Sequence, residues 1–259
     1  MTLAERARPV PWSLLAVIAA AWCAAAIGQA TGELAALHGS AHAVEHDYPL
    51  WLVVLLPPFW VAAFVFMVAW QVMIGAMMLP SSLPMMRLYH AVSGSQPRPF
   101  RARLAFLGGY AVVWTAFGAV CFAADVAVHR SLSGNTWLAA HPRLVPAAVL
   151  AGAGLFQFSS LKDRCLEECR HPAPFLLRQY RRGARGGYAL GRAHGMFCLG
   201  CCWALMLLMV AAGLVSLFWM AALAAVMFYE KAGRHGASVT PYIGVGLLVA
   251  AGVIVAGAL

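Results

Sequence analysis

From Met196 to Tyr229 the chain runs for 34 residues without one charged side chain. A helix rising 1.5 Å per residue needs only about 20 residues to cross a hydrocarbon core of about 30 Å. The run is too long for one crossing and predicts two short helices, divided near Gly213 to Ser216. Apolar blocks of similar character recur at Pro11 to about Gly28, Leu50 to about Met78, Arg103 to about Val128, Arg143 to about Ser160 and Thr240 to Ala258. Charged residues make up 10% of the 259 residues, against about 25% in soluble domains. A water-soluble globule is thereby excluded, and so is a disordered chain. The reading is all-α: a polytopic transmembrane helical bundle of about seven spans forming a single integral membrane domain over residues 1–259.

The first block follows Arg6 and Arg8 as a signal peptide would. Its apolar stretch exceeds the roughly 7 to 15 residues of a signal core, which predicts a retained helix. Pro57 and Pro58 interrupt the start of the second block, as membrane helices tolerate. With the N-terminus in the cytoplasm, 16 of the 18 basic residues fall on the inner side and only Arg130 and Arg143 remain outside. The positive-inside bias therefore predicts a multi-pass protein of the bacterial inner membrane with its N-terminus in and its C-terminus out. Residues 31–49 become an extracytoplasmic loop carrying histidines, and residues 161–195 a basic, cysteine-bearing cytoplasmic loop. The arginines from Phe175 to Arg192 stand beside Tyr180, Tyr188 and two adjacent glycines, a juxtamembrane pattern that predicts contact with anionic headgroups and no nucleic acid.

Chemistry concentrates in three sulfur-rich segments that this topology sends to one side. In the first, Met73 and Met77 share a helix face, Met78 follows, and Pro80 with Pro84 predicts the helix end. In the second, Cys165 and Cys169 stand at i and i+4 among Lys162, Arg164 and Arg170, cations that favour the ligating thiolate. In the third, Cys198 lies one turn from Cys201 and Cys202 at the predicted start of the fifth helix. Five of the seven cysteines thus crowd into one region, which points to local chemistry rather than a disulfide framework. Thiolates and thioethers favour Cu(I), and mixed Cys and His sets also suit Zn²⁺. A methionine stripe serves packing equally well, and Cys23 and Cys121 read as small inert hydrophobes. Two other chemistries fit the same residues: a thiol-disulfide oxidoreductase and a metal permease. In the first loop His38, His42 and His46 recur every four residues as a secondary candidate for metal capture. Metalloprotease, nucleophile-elbow and phosphate-loop signatures are missing, so no enzyme class is indicated.

The residues that carry these segments resemble a known family. They read Trp70-x-x-Met73-x-x-Ala76-Met77-Met78-x-Pro80, then Gln157, then Leu161-Lys162-x-x-Cys165-Leu166-x-x-Cys169-Arg170. Gly195-x-x-Cys198-Leu199-Gly200-Cys201-Cys202-Trp203-x-Leu205-Met206, Trp219-Met220 and Glu230-Lys231 follow. The pattern is similar to a bacterial family of predicted metal-binding integral membrane proteins that includes the membrane copper chaperone of tyrosinase (polyphenol oxidase). The resemblance implies copper handling for a client cuproprotein such as a tyrosinase-like oxidase. The first loop departs from what strong copper capture would use, offering three His and no Met.

Overall fold

The structure, a computed structural model, describes residues 12–31, 57–141, 143–211 and 216–257. His38, His42 and His46, with nearly all of the predicted first loop, lie outside these residues. Every regular element among the described residues is helical: α1 (Trp12–Thr31), α2 (Pro57–Ser93), α3 (Pro99–Gly134), α4 (Thr136–Ala140), α5 (Leu144–Phe156), α6 (Ser160–Arg170), α7 (Pro172–Gln179), α8 (Gly183–Ala211), α9 (Leu217–Ala232) and α10 (Gly236–Ala256). Five of them, α1, α2, α3, α8 and α10, contain stretches long and apolar enough to cross a membrane. A sixth crossing results if α5 and α6 are one span, bent by 68° at their junction. The 16 residues of α9 make a rod of about 24 Å, short of a full hydrocarbon core. The long uncharged run does divide between two helices, α8 and α9.

Two helices are longer than the hydrophobic pattern predicts. Pro80 and Pro84 lie inside α2 and do not end it. Proline at position 80 removes the amide that would bond the carbonyl four residues earlier, and that carbonyl, Ala76 O, instead accepts from the Trp22 indole Nε1 of α1 at 3.1 Å. A neighbouring helix thus satisfies the acceptor that proline frees. Similarly, α8 begins at Gly183 rather than near Met196, which puts Cys198, Cys201 and Cys202 in the middle of a helix instead of at its start. The basic charge of residues 161–195 predicts a cytoplasmic loop, yet Gly187, Leu190, Gly191, His194, Gly195 and Cys198 are buried while Arg185, Tyr188 and Arg192 are exposed. That is a helical period with glycine on the contact face.

The glycines set the principal seam of the bundle, α8 against α3. At Gly191 a side-chain methyl would collide with the Phe106 carbonyl, so the two backbones touch there and only glycine permits it. The close approach carries Tyr110 of α3 to the level of Cys198 on α8. Around that level α2, α6 and α9 complete the wall: α6 lies on α8, and α9 lies on α2. Trp70 of α2 is fully buried and donates to Trp114 O of α3 at 2.8 Å, tying the methionine-bearing helix to the seam.

Candidate metal centre

All three sulfur-rich segments meet inside the bundle. Met73, Met77 and Met78 come from α2, Cys165 and Cys169 from α6, and Cys198, Cys201 and Cys202 from α8; all eight side chains are buried. Cys202 Sγ lies 3.7 Å from Met78 Sδ. Cys169 Sγ lies 3.9 Å from Cys201 Sγ. Cys165 packs against the bare Cα of Gly200, where a methyl group would meet its sulfur. All seven cysteines are free thiols.

The sulfurs stand in pairs and not in a closed cage. Among the described residues no three His, Cys, Asp or Glu side chains are grouped to enclose an ion. The reason is visible in the thiol contacts: Cys201 and Cys202 turn their Sγ atoms back to the Cys198 carbonyl, at 3.1 and 2.8 Å. These are local bonds within one helix turn, and rotation about χ1 releases them.

Polar groups complete the cluster; of these only Lys231 stands in the family motif, and the spacing marks none of them as a ligand. Lys231 of α9 donates from Nζ to Cys198 Sγ and to Ser81 Oγ, each at 3.1 Å, and reaches 4.0 Å from Cys202 Sγ. Tyr110 Oη sits 3.2 Å from Cys198 Sγ and 3.2 Å from Ser82 Oγ. Ser82 Oγ is 3.8 Å from Cys198 Sγ, so an ammonium and two hydroxyls surround that sulfur, a donor set that suits a thiolate. One turn below Lys231's partner, His194 stacks between Tyr110 and Phe106, and its buried Nε2 has no hydrogen-bond partner among the described residues.

Beside this cluster lies a second buried charge group. Lys162 Nζ donates to both Glu230 carboxylate oxygens, at 2.8 and 3.0 Å, with both residues buried. Ser159 caps α6 by accepting from the Lys162 amide at 3.2 Å. Arg170, at the other end of α6, donates to the Glu230 and Gly233 carbonyls at 2.5 and 2.9 Å, so α6 is clamped to the end of α9. Lys162 and Lys231, counted on the sequence as loop charges, are interior. The signal available was their adjacency to apolar runs, where an ionisable residue marks a functional interior and not a headgroup contact.

A helical bundle whose long apolar helices enclose thiols and thioethers beside a buried ammonium has the make-up of a soft-metal carrier. The chain belongs to the PpoB2 family of copper chaperones, the family of the membrane copper chaperone of tyrosinase, whose family model matches residues 67–255. No curated protein and no solved structure matches it. The matched region runs from the first third of α2 to the end of α10 and takes in every sulfur of the cluster.

Proposed function

We propose that this copper chaperone is a multi-pass protein of the bacterial inner membrane that holds Cu(I) through Cys165, Cys169, Cys198, Cys201 and Cys202. Met73, Met77 and Met78 line the approach, and the ion passes by ligand exchange to a client cuproenzyme such as a tyrosinase-like oxidase. The observation that carries this reading is the pairing of sulfurs from three helices at 3.7 and 3.9 Å. Two sulfurs sharing one ion at about 2.3 Å from each stand about 3.8 to 4.0 Å apart at tetrahedral and trigonal angles. Small rotations of thiols now bonded to the Cys198 carbonyl bring them onto such an ion.

The topology that accompanies this reading has the N-terminus in the cytoplasm and counts α9 and the bent α5 and α6 pair as crossings, for seven spans. With both lysines interior, 14 of the 16 arginines still fall on the cytoplasmic side, which supports it. His38, His42 and His46 would receive metal on the opposite face. Thiol-disulfide exchange with a protein partner is the weaker reading of the same cysteines, because the exchange needs an accessible sulfur, and Cys201 is 1% exposed and Cys169 9%.

The experiment is copper analysis with X-ray absorption on the full chain purified anaerobically in detergent, against Cys201→Ser/Cys202→Ser. The expected result is about one copper per chain in sulfur-dominated coordination, lost in the double variant while the helical circular dichroism is kept. Unchanged copper stoichiometry in that variant removes the ligand assignment.

A further inference from the structure

We propose that a cavity beside the sulfur cluster binds the anionic thiol complex that delivers Cu(I) to it, with Arg87 recognising a carboxylate of the carrier. The inference rests on the copper-ligand reading above and adds the docking site and the chemical class of the copper donor.

The cavity has a volume of about 320 Å³ and lies between α2 and the junction of α6 with α7. Small-molecule sites range from about 300 to 1,000 Å³. Pro84 and Arg87 come from α2, Arg170 ends α6, and Pro172 and Pro174 begin α7. Proline carries no amide and holds φ fixed, so three of them make a stiff wall that leaves recognition to side chains. Arg87 is half-buried and makes no hydrogen bond or ion pair among the described residues; its buried Nε lacks an acceptor there. Arg170 donates only to the uncharged carbonyls of Glu230 and Gly233. The carboxylates close by are engaged elsewhere: Glu167 with His171, Glu168 with Arg178 and Glu230 with Lys162. No acidic side chain among the described residues lines the cavity. Two guanidinium groups therefore border it without a counter-charge, and their forked donors match a carboxylate.

The place of the cavity in the fold selects which anion it takes. Cys169, at 9% the most exposed of the eight sulfur side chains, immediately precedes Arg170. Ser81, one turn before Pro84 on α2, accepts from Lys231 beside Cys198. Cavity and cluster thus share α2 and α6 as walls. Cu(I) held by two thiolates is already an anion, and the carboxylates of a peptide thiol add to that charge. A reducing cytoplasm supplies such small thiols. A carboxylate held at Arg87 brings the carrier to the exposed end of the cluster. The transfer is ligand substitution at constant oxidation state: the bond from copper to the carrier sulfur breaks as one to Cys169 Sγ forms, and the thiol proton of Cys169 leaves on the carrier.

The test uses the full chain in a nonionic detergent, without oxygen. The first probe is S-methylglutathione, a tripeptide that keeps its carboxylates and has no thiol, titrated calorimetrically into metal-free protein. The native chain is expected to bind it saturably and more weakly as salt rises, and Arg87→Gln to bind it about tenfold less tightly. The second probe is Cu(I), presented either as its anionic glutathione complex or as its cationic acetonitrile complex. Uptake from the glutathione complex is expected to slow about tenfold in Arg87→Gln, with uptake from the acetonitrile complex unchanged. A native chain that does not bind S-methylglutathione overturns the inference, a result that needs no variant to fold. So does an Arg87→Gln variant that slows both uptake arms equally, or neither. Phosphatidylglycerol in the micelle displacing the tripeptide also overturns it, since the cavity is then a lipid headgroup site. Native protein that binds the tripeptide but takes copper from neither complex overturns the copper-ligand reading, and with it the delivery role of the cavity.

Discussion

The chain has only two lysines, and they stand in the same buried layer with opposite arrangements. Lys162 is locked to both oxygens of Glu230, a pair whose charges cancel and whose geometry has no free valence. Lys231, the very next residue after Glu230, turns to Ser81 and to two thiols. The contrast separates a closed region, where charge holds helices together, from an open one, where charge waits on a partner that can change. A carboxylate pair is a poor place to exchange an ion. A thiol facing an ammonium can give up its proton and take a metal without a large rearrangement.

The sharpest way to break this comparison is at the closed side. Lys162→Met leaves the Glu230 carboxylate buried and unpaired, and the expected loss is about 4 kcal/mol of stability, read as a large drop in thermal unfolding temperature in detergent. Adding Glu230→Gln to it should recover most of that loss, since no isolated charge remains. A single variant as stable as the native chain would mean that the pair is not what clamps α6 to α9.

The seam comes next. Gly191→Val forces α8 away from the Phe106 carbonyl, an overpacking that costs about 3 kcal/mol and should weaken copper affinity as well, because Tyr110 and Cys198 are held together by that contact. Retained copper affinity in a destabilised variant would show the open region to be independent of the seam. The smallest effect belongs to the carbonyl that Pro80 frees in α2. Trp22→Phe removes the bond to Ala76 O and should cost about 1 kcal/mol, measured by thermal unfolding, with the copper stoichiometry unchanged.

Much of this is legible in the amino-acid sequence, and what is not has physical causes. The apolar blocks near Trp12, Phe59, Arg103 and Thr240 became helices because their length and composition suit no other element in a bilayer. The sulfur segments could be singled out because soft donors at one-turn spacing are unusual. Their helix boundaries were misplaced wherever a residue's ordinary preference was overruled by a neighbour: Pro80 by the indole of Trp22, and the glycines of α8 by the backbone of α3. In the polar half of the cluster, Lys231 is visible only as part of the Glu230-Lys231 motif, while Ser81, Ser82 and Tyr110 leave no periodic trace, since they come from two helices that packing alone brings to Cys198.

Hydrophobicity and sulfur content are properties of single residues and short windows, and so the amino-acid sequence alone determined that this chain is a helical bundle of membrane-crossing length bearing a soft-donor cluster. Which lysine is paired and which faces the thiols depends on distances between helices far apart in the chain. Lys162 and Lys231 each have carboxylates close by in sequence, and the side-chain geometry that sends Glu230 to one and Cys198 to the other exists only once α6, α8 and α9 have closed around them.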